Sequence, residues 1–229
     1  MYRIHLCSVE AVEQTVRVTK RRGETRSRLL DAAVDVFAEN GFGRSTVEQI
    51  CERAGYTRGA FYSNFDSLDE MFFAMWELRS RAMLDGLRAA AERAMPDIAA
   101  LAPAMRLHVV VEKALEFVPV DDAWYRINAE FTAHALRTPA VRDSIARREE
   151  AIIATIAPIV EKSLSAIDRR VVGDPATLGR ALVAVHDGTS VQCLVDTDPA
   201  SARALRTELF TRVLESYTEP AHSETERPQ

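Results

Sequence analysis

Apolar residues along this chain of 229 residues recur mainly at intervals of three and four, the spacing of side chains on one face of an α-helix. Leu29, Ala33 and Phe37 mark the first clear face of this kind. It stops at Asn40-Gly41, two residue types that tolerate the left-handed backbone conformation common at helix ends. The pattern therefore predicts a first helix that ends at residue 40.

Two short helices are predicted next, with a glycine between them. Ser45 and Thr46 open the second helix, because each has a Glu or Gln capping partner three residues later. Gly55 ends it, and a third helix is predicted from Thr57 to Ser63. A helix, a tight turn and a short helix with a polar outer side form a helix-turn-helix, although a packed corner without DNA binding shows the same pattern.

In a helix-turn-helix that binds DNA, the second helix of the motif presents its N-terminal residues to base edges in the major groove. Arg58 can donate two hydrogen bonds to guanine, and Asn64 can pair with adenine or a phosphate. Thr57 and Tyr62 suit phosphate oxygens, and Gly59 lets the backbone approach closely. The candidate DNA-binding residues are Arg44, Ser45, Thr46, Thr57, Arg58, Gly59, Tyr62, Ser63, Asn64, Lys20, Arg21 and Arg22.

The remaining chain continues the helical pattern, and no strand pattern competes with it. Helices are predicted at 67–94, 98–118, 121–137, 140–166, 175–196 and 199–218. The polar tail 219–229 is predicted to be disordered. The fold class is therefore all-α, with an N-terminal three-helix domain joined by a long helix to a C-terminal helical domain.

Charge is distributed unevenly along the chain. The net charge of −5, from 29 Lys and Arg against 34 Asp and Glu, argues against a polyanionic partner when it is taken as a whole. Residues 1–66, however, hold ten basic and nine acidic side chains, whereas residues 67–229 hold 19 and 25. Residues 1–22 show no clean period and end in Lys20, Arg21 and Arg22, so we predict a mobile basic arm there.

Several classes of protein are disfavoured. No apolar stretch approaches the roughly 20 residues that span a bilayer, and no secretory signal is evident, so we expect a cytoplasmic protein without a membrane partner. The three cysteines lie far apart, which disfavours a disulfide framework and a zinc ribbon. No nucleophile elbow, phosphate-cradling loop or paired metal motif is found, so we expect neither an enzyme nor a bound cofactor or metal.

Residues Thr25 to Phe72 resemble the DNA-binding domain of the TetR family of transcriptional regulators. The matching residues stand at fixed offsets and comprise Ala32, Ala33, Phe37, Asn40, Gly41, Phe42, Thr46, Ile50, Ala54, Gly55, Gly59, Phe61, Tyr62 and Phe65. Two positions depart from the family pattern, with Leu68 in place of a usual Lys and Cys51 in place of a usual Ala. Cys51 is interpreted as core filler, and a redox-sensing thiol is the alternative.

The resemblance also implies a division of labour. It implies a DNA-binding domain at 23–70 and a ligand-binding and dimerisation domain at 71–218. The implied function is a homodimeric repressor that leaves a near-palindromic double-stranded operator when a small lipophilic or aromatic effector binds. By position, Thr46 and Tyr62 correspond to phosphate contacts, and Arg58 and Gly59 lie on the recognition helix.

The middle helices carry aromatic residues with a few polar groups, a mixture that can line an effector pocket. The candidates are Met105, His108, Phe117, Trp124, Tyr125, Asn128, Phe131 and His134. An ordinary hydrophobic core would also use many of them. His108 with Glu112, and Glu130 with His134, share helix faces and leave a metal-responsive regulator open, although surface ion pairs have the same spacing. A helical enzyme or an interaction module is a further alternative.

The last two helices are the predicted dimer interface. Doubled by a two-fold axis, two apolar helices joined by a short turn make a four-helix interface. Gly188 in mid-helix costs about 1 kcal/mol relative to Ala, which the close approach of a partner helix would explain. A hairpin packed only on its own domain is the alternative. The candidates are Leu182, Val185, Gly188, Thr189, Gln192, Leu205, Leu209 and Val213.

Overall fold

A computed structural model describes the backbone of residues 6–221 and the side chains of residues 22–221. Its helices are α1 Leu6–Asn40, α2 Val47–Ala54, α3 Arg58–Tyr62, α4 Leu68–Ala99, α5 Pro103–Leu115, α6 Asp122–Ala135, α7 Pro139–Ser165, α8 Pro175–Val195 and α9 Pro199–Ser216. A 3₁₀ turn, Phe42–Arg44, lies between α1 and α2. The predicted all-α class is confirmed.

The chain forms two compact units. Unit 1 comprises the chain to Glu77 together with Arg126–His134, and unit 2 comprises Leu78–Tyr125 with the chain from Ala135 onward. Helices α4 and α6 therefore contribute residues to both units.

Helix α1 ends at Asn40, as predicted, and Gly41 follows with a φ of 81°. Its start differs from the prediction, because the helix begins at Leu6 rather than after a mobile arm of 22 residues. The physical reason is composition. No Gly or Pro interrupts the chain between Leu6 and Arg22, so nothing in this segment opposes helix continuation.

The interior of unit 1 is built from the predicted apolar positions. Leu29, Ile50 and Phe61 are fully buried, and Phe37 and Phe65 are 1% exposed. Burying side chains of this size contributes roughly 1.5 to 3 kcal/mol each before entropy is counted. This packing fixes α2 and α3 against α1.

Prolines mark several helix starts in unit 2. Pro175 and Pro199 open α8 and α9, as predicted, and the preceding Asp174 and Asp198 cap both helices. Pro96, predicted to follow the end of α4, instead lies within that helix, which continues to Ala99. Proline removes only one backbone hydrogen bond, and here it does so in the last turn of α4.

Two short strands contradict the expectation of no strands and of a disordered tail from residue 219. Strand β1, Arg169–Val171, pairs antiparallel with β2, Thr218–Pro220, and Arg170 faces Glu219 in the register. Strands of three residues are too short for an alternating pattern to be visible in the sequence. The rest of the predicted tail, 222–229, lies outside the described residues.

Candidate nucleic-acid interface

The start of α2 is fixed by one of the two predicted capping boxes. Thr46 is the N-cap, with the Gln49 backbone N–H donating to Thr46 Oγ1 at 3.3 Å and the Thr46 N–H donating to Gln49 Oε1 at 2.9 Å. Ser45 does not cap the helix. Its hydroxyl is buried and donates to the Gly41 carbonyl at 2.8 Å, so it faces the interior and is not presented to DNA.

The turn between α2 and α3 depends on Gly55. Its φ of 72° and ψ of 32° lie in the left-handed region, which glycine adopts without steric cost. Thr57 then caps α3 by accepting a hydrogen bond from the Ala60 N–H at 3.2 Å. The two helices thus form the predicted helix-turn-helix arrangement, with Arg58 as the first residue of α3.

One side of α3 is exposed and polar, and the other is buried. Arg58, Gly59, Tyr62 and Ser63 are exposed, whereas Phe61 is fully buried. Four of the predicted DNA-binding residues therefore share the exposed side of α3. Arg44 and Thr46, which precede α2, are exposed as well.

Arg58 is held by two neighbours. Its Nη1 lies 2.8 Å from Glu48 Oε1, and its guanidinium carbon lies 5.9 Å from the centre of the Tyr62 ring. The hydrogen bond to Tyr62 and then the charge of Glu48 raise the pKa of Arg58. Because the Arg58 and Glu48 side chains are both more than half exposed, this ion pair is weak and can exchange for another acceptor.

The C-terminal end of α3 is satisfied by side chains. Asn64 Nδ2 donates to the Ala60 carbonyl at 2.8 Å, and Ser63 Oγ donates to the Gly59 carbonyl at 2.7 Å. These bonds leave the Asn64 amide half-buried and turned toward its own helix rather than free for a base.

Two arginines of α1 reach the same helix end. Arg22 donates to the Ser63 carbonyl at 2.9 Å, and Arg26 donates to the Asn64 carbonyl at 3.1 Å. Sequence reasoning missed Arg26, although its spacing of four residues from Arg22 places both on one face of a helix. The side chains of Lys20 and Arg21 lie outside the described residues.

Two candidate effector residues, Phe131 and His134, pack within unit 1. Phe131 is fully buried and stacks on Phe72, with ring centroids 3.6 Å apart. The rings of Phe42 and Phe131 are nearly perpendicular, with centroids 4.9 Å apart. His134 Nε2 lies 3.2 Å from Asp69 Oδ1. These two residues are in unit 1 because the second half of α6, Arg126–His134, packs there and completes its interior. Asn128, half-buried, belongs to the same unit.

The other five candidates lie in unit 2. Trp124 is covered by the Arg79 guanidinium at 5.0 Å, and Arg79 also contacts Asp121 Oδ2 at 3.2 Å. The Trp124 backbone N–H and then Arg79 lower the pKa of Asp121. Phe117 and Tyr125 are half-buried, and Met105 and His108 are exposed. None of these five residues lines the shallow pocket formed by α7, β1 and α8, whose walls include Val160, Val171 and Leu178.

Helices α8 and α9 pack against each other within unit 2, and the candidate dimer residues divide by exposure. Leu182 and Thr189 are buried, whereas Gly188, Gln192 and Leu205 are exposed. Val185, Leu209 and Val213 are half-buried. A Cβ atom built at Gly188 meets nothing within 4 Å, so the helix surface there is open in this chain.

The redox-thiol and metal-responsive alternatives find no structural support among the described residues. Cys51 is buried, and burial followed by the Glu48 charge raises its pKa, the opposite of thiol activation. No three His, Cys, Asp or Glu side chains within the described part of the chain cluster as metal ligands. None of the helices over the described range is long and apolar enough to cross a membrane.

Two family models match the chain. Residues 29–75 match "Bacterial regulatory proteins, tetR family", and residues 103–218 match "BetI-type transcriptional repressor, C-terminal". The second match alone covers just over half of the 229 residues.

Individual relatives are consistent with the two family models. The chain is 28% identical over 106 residues to the HTH-type transcriptional activator FasR of Mycolicibacterium smegmatis, which is 46% of each protein. It is 24% identical over 173 residues to the uncharacterized HTH-type transcriptional regulator YfiR of Bacillus subtilis, 75% of this chain and 82% of that one. The chain spans less than half the length of the first curated relatives that it matches.

The fold is shared with solved structures. The crystal structure of a TetR transcription regulator from Haloarcula marismortui aligns with a TM-score of 0.61 and 14% identity, over 86% of this chain and 100% of that one. This likeness shows the fold. The two family models, which agree with the helix-turn-helix geometry, show that the chain belongs to the TetR family of transcriptional regulators.

Proposed function

We propose that this chain is a homodimeric repressor that binds a near-palindromic operator and leaves it when a small lipophilic or aromatic effector binds unit 2. The observation that carries the proposal is the exposed side of α3, where the only carboxylate paired with Arg58 among the described residues is Glu48, in a weak and exposed ion pair beside Tyr62. Such a pair orients the arginine side chain, and its guanidinium can still exchange the carboxylate for another acceptor. Operator binding therefore exchanges the Glu48 carboxylate for a DNA acceptor.

Contacts to DNA divide into those that read bases and those that hold phosphates. Arg58 is the base reader, because guanine offers two acceptors that match its guanidinium. Thr46, Thr57 and Tyr62 supply hydroxyls for phosphate oxygens, and Arg44 adds a positive charge beside α2. Lys20, Arg21 and Arg22, in the middle of α1, add sequence-independent attraction, which gives binding a steep salt dependence.

Dimerisation uses the exposed side of the α8–α9 pair. Gly188 and Gln192 stand four residues apart on α8, Leu205 is 42% exposed on α9, and Val195 is 72% exposed at the end of α8. Large exposed apolar side chains beside an open glycine suit the close packing of a second copy. A two-fold dimer then places two reading helices on the two half-sites of an operator.

Effector control is proposed to act through the helices shared by both units. Phe117, Trp124 and Tyr125, with Met105 and His108, are the effector candidates in unit 2, whereas Phe131 and His134 are assigned to core packing. An effector that favours one position of α4 or α6 alters the residues that these helices contribute to unit 1. Binding energy in unit 2 is thereby coupled to operator affinity.

The test is an operator selected from random duplex DNA and measured by fluorescence anisotropy at two salt concentrations. Arg58→Ala is expected to reduce specific affinity about tenfold to a hundredfold, the range of one bidentate guanine contact. Arg88→Ala is the matched control, because Arg88 is also an exposed arginine paired with a carboxylate, Asp85, but lies on α4. Unchanged specific binding by Arg58→Ala would remove Arg58 from base reading.

A further inference from the structure

Unit 2 contains a buried arginine without a counterion. Arg206 on α9 is only 5% exposed. Its Nη2 donates to the Val118 carbonyl at 3.0 Å and lies 3.0 Å from His186 Nδ1, while its Nε is buried with no hydrogen-bond partner. Within the described residues, no carboxylate forms an ion pair with this guanidinium. An arginine side chain does not lose its proton in a protein, so the charge stays.

His186 does not neutralise that charge. Arginine can only donate, so His186 Nδ1 is the acceptor and the proton of the neutral imidazole lies on Nε2. Burial and then the Arg206 charge lower the pKa of His186 to about 4, so the ring is neutral at pH 7. The neighbouring Asp187 is exposed and forms no ion pair with Arg206. The pair thus carries one positive charge and offers unused N–H donors.

The surroundings of this pair are apolar. The Arg206 guanidinium lies 5.8 Å from the centre of the Phe210 ring, and Phe210 packs against the hydrophobic core of unit 2. Leu178 and Leu182, which belong to that core, precede His186 at intervals of four on the same face of α8. A buried charge without a counterion is costly in such surroundings. The Val118 carbonyl and the Phe210 ring offset part of this cost, and an anion that reaches the guanidinium would offset more.

We propose that Arg206 and His186 bind the carboxylate of an amphipathic organic acid, whose apolar part lies against the core of unit 2. One unpaired positive charge matches one negative charge, which favours a monocarboxylate over a phosphate dianion. The planar guanidinium suits a carboxylate, and charge-assisted hydrogen bonds of this kind are about twice as strong as neutral ones. As an assignment of the effector's chemical class, this inference rests on the effector response proposed above.

The experiment is calorimetric titration of the full-length protein with decanoate and with 4-phenylbutyrate, each compared with its primary alcohol. Wild-type protein is expected to bind at least one acid about tenfold or more tightly than the matched alcohol. Arg206→Met is expected to bind that acid and alcohol equally, whereas Arg203→Met, an exposed arginine one turn earlier on α9, keeps the preference. Equal binding of acids and alcohols by wild-type protein overturns the proposal, and so does a preference that survives Arg206→Met.

Two further measurements test whether Arg206 binds an anion or only stabilises the fold through its hydrogen bond to the Val118 carbonyl. If Arg206 serves to bind an anion, the ligand-free Arg206→Met variant is expected to unfold at the same denaturant concentration as wild-type protein or at a higher one. The reason is that the substitution removes an unpaired buried charge. If the variant does not fold, His186→Leu decides instead. It removes the Nε2 donor while leaving the Val118 hydrogen bond, and an undiminished acid preference in this variant overturns the proposal.

Release of operator DNA is measured with each acid and with other compounds. This measurement tests the acid-binding site and the effector response separately. If an acid binds through Arg206 but does not release operator DNA, the binding site stands and its effector role is lost. If another compound releases the operator while neither acid shows an Arg206-dependent preference, the effector response stands and this inference is overturned.

Discussion

The arginines around the helix-turn-helix of unit 1 differ in burial and partners from one arginine in the interior of unit 2. In unit 1, Arg22, Arg44 and Arg58 are exposed and bind carbonyls or a carboxylate that water or DNA can replace. In unit 2, Arg206 is buried beside a neutral histidine and has no acidic partner among the described residues. Exposed arginines can exchange partners at little cost, whereas a buried one requires a particular partner. The difference suits a surface that meets DNA and an interior that meets a small molecule.

The largest expected change in stability tests whether the α6 segment Arg126–His134 belongs to unit 1. Phe131→Ala is expected to lower the free energy of unfolding by about 3 to 5 kcal/mol, because it empties the site where Phe131 stacks on Phe72. Operator binding should fall with it, although residue 131 lies far along the chain from α3. Denaturant unfolding followed by circular dichroism measures the change. Leu136→Ala, at a residue 69% exposed, is the control and should change stability by less than about 0.5 kcal/mol.

An intermediate effect tests the buried pair of unit 2 through pH. Since the pKa of His186 falls from 6.5 in the unfolded chain to about 4 in the folded protein, the unfolded chain takes up the proton first as pH decreases. His186 therefore lowers stability progressively from pH 6.5 toward pH 4 and has no effect above pH 7. At pH 5 the expected loss is about 2 kcal/mol.

Comparison with His186→Gln isolates this effect from those of other titrating groups. Unfolding curves of the two proteins at pH 7.5 and pH 5 should show a steeper decline for wild-type protein. Parallel declines would mean that His186 is protonated equally easily in the folded and unfolded states, and Arg206 would then not have a neutral histidine beside it.

The smallest expected effect sharpens the description of the exposed arginines. Glu48→Gln frees Arg58 from its carboxylate and is expected to raise operator affinity by about two- to fivefold. Glu52→Gln removes the same charge from another exposed position on α2 and serves as control, because it alters only the general attraction to DNA. Equal gains from both variants, measured by anisotropy, would show that Glu48 acts through net charge alone.

Local features were predictable from the sequence. The box of Thr46 with Gln49, the left-handed Gly55 and the helix end at Asn40 each depend on residues a few positions apart, so the local pattern contains the information. The polar side of α3 was predictable for the same reason, and the family resemblance identified three of its residues, Arg58, Gly59 and Tyr62.

Features that depend on distant residues were not predictable. Phe131 looked like a pocket residue because nothing in its neighbourhood shows that its partners are Phe42 and Phe72. Ser45 has the residue type of a cap, yet its hydroxyl turns inward to Gly41. Arg206 was not singled out at all, because a sequence does not show whether an arginine on an amphipathic helix is buried.

The segment Arg126–His134 has a consequence for synthesis of the protein. Unit 1 is translated almost entirely before this segment, but its aromatic interior is complete only once Phe131 has left the ribosome. Until then, Phe42 and Phe72 lack the side chain that covers them. A nascent chain stalled before residue 126 is therefore expected to be a better chaperone substrate than one stalled after residue 134 has emerged, even though both contain the whole DNA-reading motif.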